Sequence, residues 1–214
     1  MNTSDSFVKN LVKENPYEID VIEKNVLKSK KYPTDPTRFV FYSDCMEYIK
    51  NKSGLFLEFG VYQGTSINLF STVLKEKLFY GFDSFQGLPE DWEDIVPAGH
   101  FKTEIPQVNE NVNLLIGWFD ETLTGFLKKN SDPISFVHID CDLYSSIDYV
   151  LRNIETKIED GCLFIFDDFL NYPNYEQHSI KAFSEFLTRT NYSYEFIGHI
   201  PDEQFSRCAV VIKK

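Results

Sequence analysis

Five apolar runs alternate along the chain with stretches of helical periodicity: LFLEFG (55–60), KLFYGFD (77–83), VNLLIG (112–117), ISFVHID (134–140) and GCLFIFDD (161–168). Apolar runs without polar alternation need cover on both faces, and a parallel sheet sandwiched by helices supplies it. The intervening helices are read from GTSINLFSTVLKEK, WFDETLTGFLKKN, SSIDYVLRNIETKIED and SIKAFSEFLTRT. YSYEFIGHI and SRCAVVIKK then follow with no room for a helix between them, so they close the sheet as an antiparallel pair. The expected fold is α/β, a doubly wound, mostly parallel sheet of seven strands with that pair at its C-terminal end.

Residues 1–36 read as a helical N-terminal extension, with helices at SFVKNLVKE and YEIDVIEKNVLK and the breaker-rich YPTDPT at its end. It is expected to act as a lid on a single domain spanning 37–214. TRFVFYSDCMEYIKNKSG reads as that domain's first helix, with Thr37 as N-cap and Gly54 past its end. Residues 84–109 break the alternation with three prolines and two glycines, and so long a loop in a compact domain is more often functional than idle.

The 21 basic against 33 acidic residues leave a net charge of −12, a field that repels nucleic acid and anionic lipid. The longest apolar runs, such as CLFIF and AVVI, fall far short of the roughly 20 residues needed to cross a bilayer. The N-terminus lacks a secretory layout, and the four cysteines are scattered without a C-x-x-C pair. The expectation is a reduced, cytoplasmic protein with no nucleic-acid or membrane partner, assembled as a homo-oligomer.

Open parallel sheets bind ligands outside the carboxyl ends of their strands, so the strand ends carry the functional reading. The first run ends in Glu58, followed by FGVYQGTS, where Gly60 and Gly64 permit a tight turn that a ligand can approach closely. The second ends in Asp83, about 20 positions on, where a carboxylate suits two ribose hydroxyls. G-V-Y-Q-G is not the G-x-G-x-x-G that binds a pyrophosphate, and no G-x-x-x-x-G-K-[ST] occurs. NAD and nucleoside triphosphates are therefore disfavoured. An acid two places before the first glycine suits instead a cofactor with a cationic amino-acid tail, such as S-adenosylmethionine.

The fourth run ends in Asp140 and the fifth in Asp167 and Asp168, which brings three carboxylates to one crevice. Unpaired they would repel one another, so each needs a helix N-terminus, an arginine or a metal ion. An oxygen-only cluster suits a hard divalent cation such as Mg²⁺, and zinc fits less well without Cys or His at ligand spacing. Capping of the next helix is the alternative for Asp140 or Asp168. Asp142 is read as structural, His138 as a core histidine with the alternative of being the base in place of Asp140, and His178 as a solvated helix-end residue with the alternative of lining the substrate pocket. Trp92 and Trp118 sit just past strand tips, where they can line a pocket or pack in the core.

LEFGVYQGTS, GFDSFQGLPEDW, HIDCDLYSS, and FDDF followed by NYP together resemble the macrocin O-methyltransferase family. The likeness runs in order from about Arg38 to Lys214. It implies a class I, Rossmann-like fold and a sugar O-methyltransferase dependent on S-adenosylmethionine and Mg²⁺. In that reading Glu58, Phe59, Gly60 and Gly64, with Thr65 and Ser66, cradle the methionine part. Asp83 and Ser84 hold the ribose, and Gly117, Trp118 and Phe119 border the adenine. Asp140, Asp167 and Asp168 would hold the metal, with Asp140 also the catalytic base. The expected substrate is a small glycoside of a natural product or a saccharide of a surface polysaccharide. A catechol-type or other small-molecule O-methyltransferase, or a non-catalytic binding protein on the same fold, are the alternatives.

Overall fold

The unbroken apolar runs take the middle of one sheet, as residues that want cover on both faces must. In the computed structural model, which describes residues 15–34, 38–92, 95–202 and 204–214, the strands are β1 (Leu55–Phe59), β2 (Phe79–Asp83), β3 (Val112–Ile116), β4 (Ile134–Ile139), β5 (Ile158–Leu170), β6 (Ser193–Ile200) and β7 (Ser206–Lys213). They form a seven-stranded sheet in the order β3-β2-β1-β4-β5-β7-β6. The first five are mutually parallel, and β7 runs antiparallel to both β5 and β6. This is the expected fold. Connection direction reverses between β1 and β4, which puts the ligand crevice at their carboxyl ends.

The helices are α1 (Ile19–Lys28), α2 (Phe39–Ile49), α3 (Thr65–Val73), α4 (Phe119–Lys129), α5 (Tyr144–Ile154) and α6 (Ser179–Thr190). Ile67 and Phe70 of α3 join Phe41 and Met46 of α2 in a core on one face of the sheet. The other face carries α1, α4, α5 and α6, through residues such as Ile22, Leu123, Ile147 and Phe183. Each fully buried side chain of this size contributes about 1.5–3 kcal/mol of transfer free energy.

Three boundaries differ from the sequence reading. α5 ends at Ile154, and the KIED stretch read as its last turn instead enters β5 at Ile158. β5 runs on past Asp168 to Leu170 because β7 continues to pair with it, across a register shift between Phe166 and Leu170. A bulge of that kind re-aims side chains beside a site, and Asp167 and Asp168 lie within it. α1 packs on α6 and β6, burying Ile22 and Val26 completely. The helix read at SFVKNLVKE and the Thr37 cap lie outside the described residues. No helix among the described residues is long and apolar enough to cross a membrane.

Candidate active site

A cavity of about 990 Å³ opens above the tips of β1, β2, β4 and β5. Its floor is built around Gly60, at φ 91°. A Cβ there would lie 1.8 Å from the carbonyl oxygen of Asp140. Two backbone bonds hold the contact: Gly60 N donates to Phe82 O at 3.0 Å, and Asp140 N donates to Phe59 O at 2.8 Å. Only glycine tolerates both the left-handed backbone and this approach. Gly60→Ala should therefore lower the thermal midpoint by at least about 2–4 °C, the shift expected per kcal/mol in a chain of this size, and should abolish S-adenosylhomocysteine binding. Scanning fluorimetry with and without that ligand checks both.

Asp83 staples the same turn. Its Oδ2 accepts the backbone N–H groups of Val61 and Tyr62, each at 2.8 Å, and its Oδ1 accepts that of Phe85 at 2.7 Å. A carboxylate has about four lone-pair sites, so Asp83, which faces the cavity, keeps capacity for a ligand hydroxyl. Asp83→Ala should weaken cofactor binding by about 1–3 kcal/mol through the unpaired groups it leaves. Calorimetric titration with S-adenosylhomocysteine measures the loss, and unchanged affinity would remove Asp83 from the nucleoside side.

Of the residues expected on the cofactor side, Gly60, Asp83, Ser84, Gly117, Trp118 and Phe119 line the cavity. Glu58, Phe59, Gly64, Thr65 and Ser66 instead support the turn from beneath. Phe59 is buried and stacks on Phe82 at 4.9 Å. Gly64 precedes α3 at φ 76°, and Thr65 and Ser66 open that helix. Glu58 is 1% exposed, accepts a hydrogen bond from Ser66 Oγ at 3.0 Å, and lies 3.0 Å from His138 Nδ1. Burial pushes its carboxyl up, against the lowering pull of His138. Glu58 is thus turned into the protein and is not among the residues that line the cavity. Tyr62, inside the LEFGVYQGTS motif, and Tyr149, which carries no sequence signal, line the cavity as well.

The carboxylates at the far end divide into two kinds. Asp167 is 5% exposed and fully engaged. Arg207 Nε and Nη2 donate to its two oxygens at 2.8 and 3.0 Å, Arg38 Nη1 to Oδ1 at 3.2 Å, and Tyr42 Oη to Oδ1 at 3.0 Å. Desolvation pushes its carboxyl up, yet the two guanidinium groups outweigh it and hold Asp167 below the usual carboxylate range. Asp140, Asp142 and Asp168 have no guanidinium bond among the described residues; one oxygen from each lies within 4.8 Å of the others. Desolvation first, and the neighbouring carboxylates second, lift Asp140 and Asp142 well above the usual range and Asp168 to about 7. None of the three caps α5, whose N-cap Leu143 has no side-chain cap bond. Asp142, read as structural from sequence, adopts a left-handed backbone (φ 62°) and joins the cluster.

The donor set of that cluster fits a hard divalent cation, since three clustered carboxylates, of which Asp142 and Asp168 share a hydrogen bond, carry charge that protons or a cation would neutralise. Asp140 and Asp168 belong to both the expected metal set and the observed cluster. Asp167 is the member the arginines claim. His138 is completely buried and does not line the cavity, which leaves it no contact with a substrate. His178, expected at a solvated helix end, is 5% exposed and packs 6.2 Å from Trp92. Trp92 and Phe205 also line the cavity, their rings 5.6 Å apart. Arg207 was within reach of sequence reasoning, because a lone arginine in the apolar run SRCAVVI must find an anion if it is buried.

A family described as a methyltransferase domain matches residues 57–169, from the middle of β1 almost to the end of β5. Demethyldecarbamoylnovobiocin O-methyltransferase of Streptomyces niveus is 28% identical over 157 residues, covering 60% of this chain and 58% of its own length. The chain thus spans little more than half of that curated relative. The solved O-methyltransferase NovP superposes with a TM-score of 0.62 at 22% identity, over 83% of this chain and 80% of its own. The calicheamicin methyltransferase CalS11 gives 0.65 at 19%, over 99% and 98%, and a second structure describes it as a TDP-rhamnose 3′-O-methyltransferase. These likenesses show the fold, and the match over more than half of the chain shows that it belongs to the methyltransferase-domain family.

Proposed function

We propose that the chain is an S-adenosylmethionine-dependent, Mg²⁺-assisted O-methyltransferase of the cytoplasm that acts on a sugar hydroxyl in a glycosylated metabolite or surface polysaccharide. The observation that carries this reading is the meeting of two half-sites in one cavity. The turn stapled by Asp83 and the Gly117–Phe119 segment form one half, the carboxylate cluster the other, and the Gly60–Asp140 contact joins them. The description of CalS11 as a TDP-rhamnose 3′-O-methyltransferase supports a sugar acceptor.

Asp140, Asp142 and Asp168 would hold the cation, and S-adenosylmethionine supplies the activated methyl group. A cation there supplies Lewis acidity that eases deprotonation of the acceptor. Asp140 takes the hydroxyl proton, since its carboxylate faces the cavity within the cluster and a positioned carboxylate can serve as the general base. Transfer is then a matter of alignment across the fixed spacing of the two strand tips. Mass spectrometry of candidate glycosides incubated with S-adenosylmethionine and Mg²⁺ tests the reading. A net mass gain of CH2 on a glycoside, a methyl group in place of a hydroxyl hydrogen, supports it, and a gain confined to catechols would move the chain to the phenol-methylating class.

The 84–109 loop covers the crevice in this reading, contributing Leu88, Trp92 and Phe101 to the cavity wall. The N-terminal extension is proposed as a second cover; none of its described residues, 15–34, lines this cavity, and its other residues lie outside those described. Hydrogen exchange should slow in the loop when S-adenosylhomocysteine binds, because closing over a ligand removes local opening. Unchanged exchange would count against a lid.

A further inference from the structure

Glu58 and His138 are partners in register across β1 and β4, and each is completely buried at its side chain. The pair sits behind the cavity wall and touches it nowhere. One Glu58 oxygen anchors Ser66 at the start of α3, and the other lies against His138 Nδ1. The imidazole is clamped edge-on by Phe70 at 5.2 Å and Tyr42 at 6.0 Å. Its Nε2 has no hydrogen-bond partner among the described residues. A ring nitrogen of His138 and one oxygen each of Asp140 and Asp167 lie within 4.8 Å of one another.

We propose that His138, fixed by Glu58, is a positioning residue for Asp140: its Nε2, free among the described residues, is the donor available to steady that carboxylate in the orientation the cation and the acceptor require. This rests on the metal-dependent reading above. A fully buried imidazole with one nitrogen committed to a carboxylate can offer only its other nitrogen, and the acids of the site are what lie beside it. Direct ligation by His138 is disfavoured by its company. The third member of that group, Asp167, is already neutralised by Arg38 and Arg207, and a dication would have to lodge beside both guanidinium groups. The pair therefore supports the strand tips. Groups that orient a ligating residue typically change metal affinity by 10–100-fold when removed.

The test uses the full chain and Mn²⁺, followed by its paramagnetic resonance signal, in place of Mg²⁺. His138→Phe should weaken Mn²⁺ binding by about tenfold while S-adenosylhomocysteine affinity stays within about twofold. His138→Gln, whose amide can still meet Glu58, should recover part of the loss. Because His138→Phe strands a buried Glu58, Glu58→Gln/His138→Phe is made alongside. That double variant should regain the thermal midpoint but keep the weakened Mn²⁺ binding, which separates position from folding. Wild-type Mn²⁺ affinity in His138→Phe would overturn the proposal. So would ¹⁴N coupling to Mn²⁺ bound in the wild type, which would make His138 a ligand. If the wild type itself bound no Mn²⁺, the metal-dependent reading would fail first and take this proposal with it.

Discussion

Asp140→Asn should lower the methylation rate by at least about 10²-fold, the usual scale for loss of a general base. The substitution keeps the shape and one oxygen but removes both charge and basicity. S-adenosylhomocysteine should bind nearly as before, because the nucleoside half of the cavity is built on Gly60, Asp83 and the Gly117–Phe119 segment. Asp168→Asn, by contrast, removes one member of a three-carboxylate cluster, and excess Mg²⁺ should recover part of its activity. Saturating metal cannot restore a missing base, so Asp140→Asn should stay low across a magnesium titration. Recovery of Asp140→Asn to near the wild-type rate at high Mg²⁺ would make Asp140 a ligand only. The base would then have to be sought at Asp142, the other cluster member at the β4 tip that faces the cavity.

The second large effect is on stability. Arg207→Ala should destabilise the fold by about 3–5 kcal/mol, the cost of removing one partner from a buried ion pair. Asp167 would keep only Arg38 and Tyr42, and Arg38 is far more exposed, at 34% of its side chain against 9% for Arg207. The loss also cuts the local bond from Arg207 Nη1 to Phe205 O at 3.0 Å, at the start of β7. Replacing the pair together, as Arg207→Met/Asp167→Leu, should return much of the stability, since well-packed apolar residues often match a buried ion pair. The sign with pH follows from the lowered Asp167 pKa: its stabilisation is present above the usual carboxylate range and fades as pH falls through the depressed folded value. Acid unfolding should therefore begin at higher pH in Arg207→Ala than in the wild type. Chemical denaturation at neutral pH and an acid titration by circular dichroism measure the two effects.

The strands were legible because burial on both faces leaves a local mark: five unbroken apolar runs with helical periods between them admit few arrangements other than a parallel sheet. The places of Gly60, Asp83, Asp140 and Asp168 were legible for the same reason, since strand ends and the crevice above them follow from topology. Their division of labour was not. Asp167 and Asp168 are adjacent in sequence and equivalent by composition, yet one is claimed by arginines 40 and 129 residues away and the other faces a cluster. Glu58 stands where a cofactor ligand is expected, but the pleat turns it toward His138, its partner in register on β4. Sequence by itself determined the strands, their alternation with helices and which strand tips carry acids, because those depend on short-range pattern. Which acid meets an arginine, an imidazole or open cavity was decided only by tertiary structure, because a charge in a low-dielectric interior answers to whatever lies within a few ångströms, and those neighbours come from distant segments.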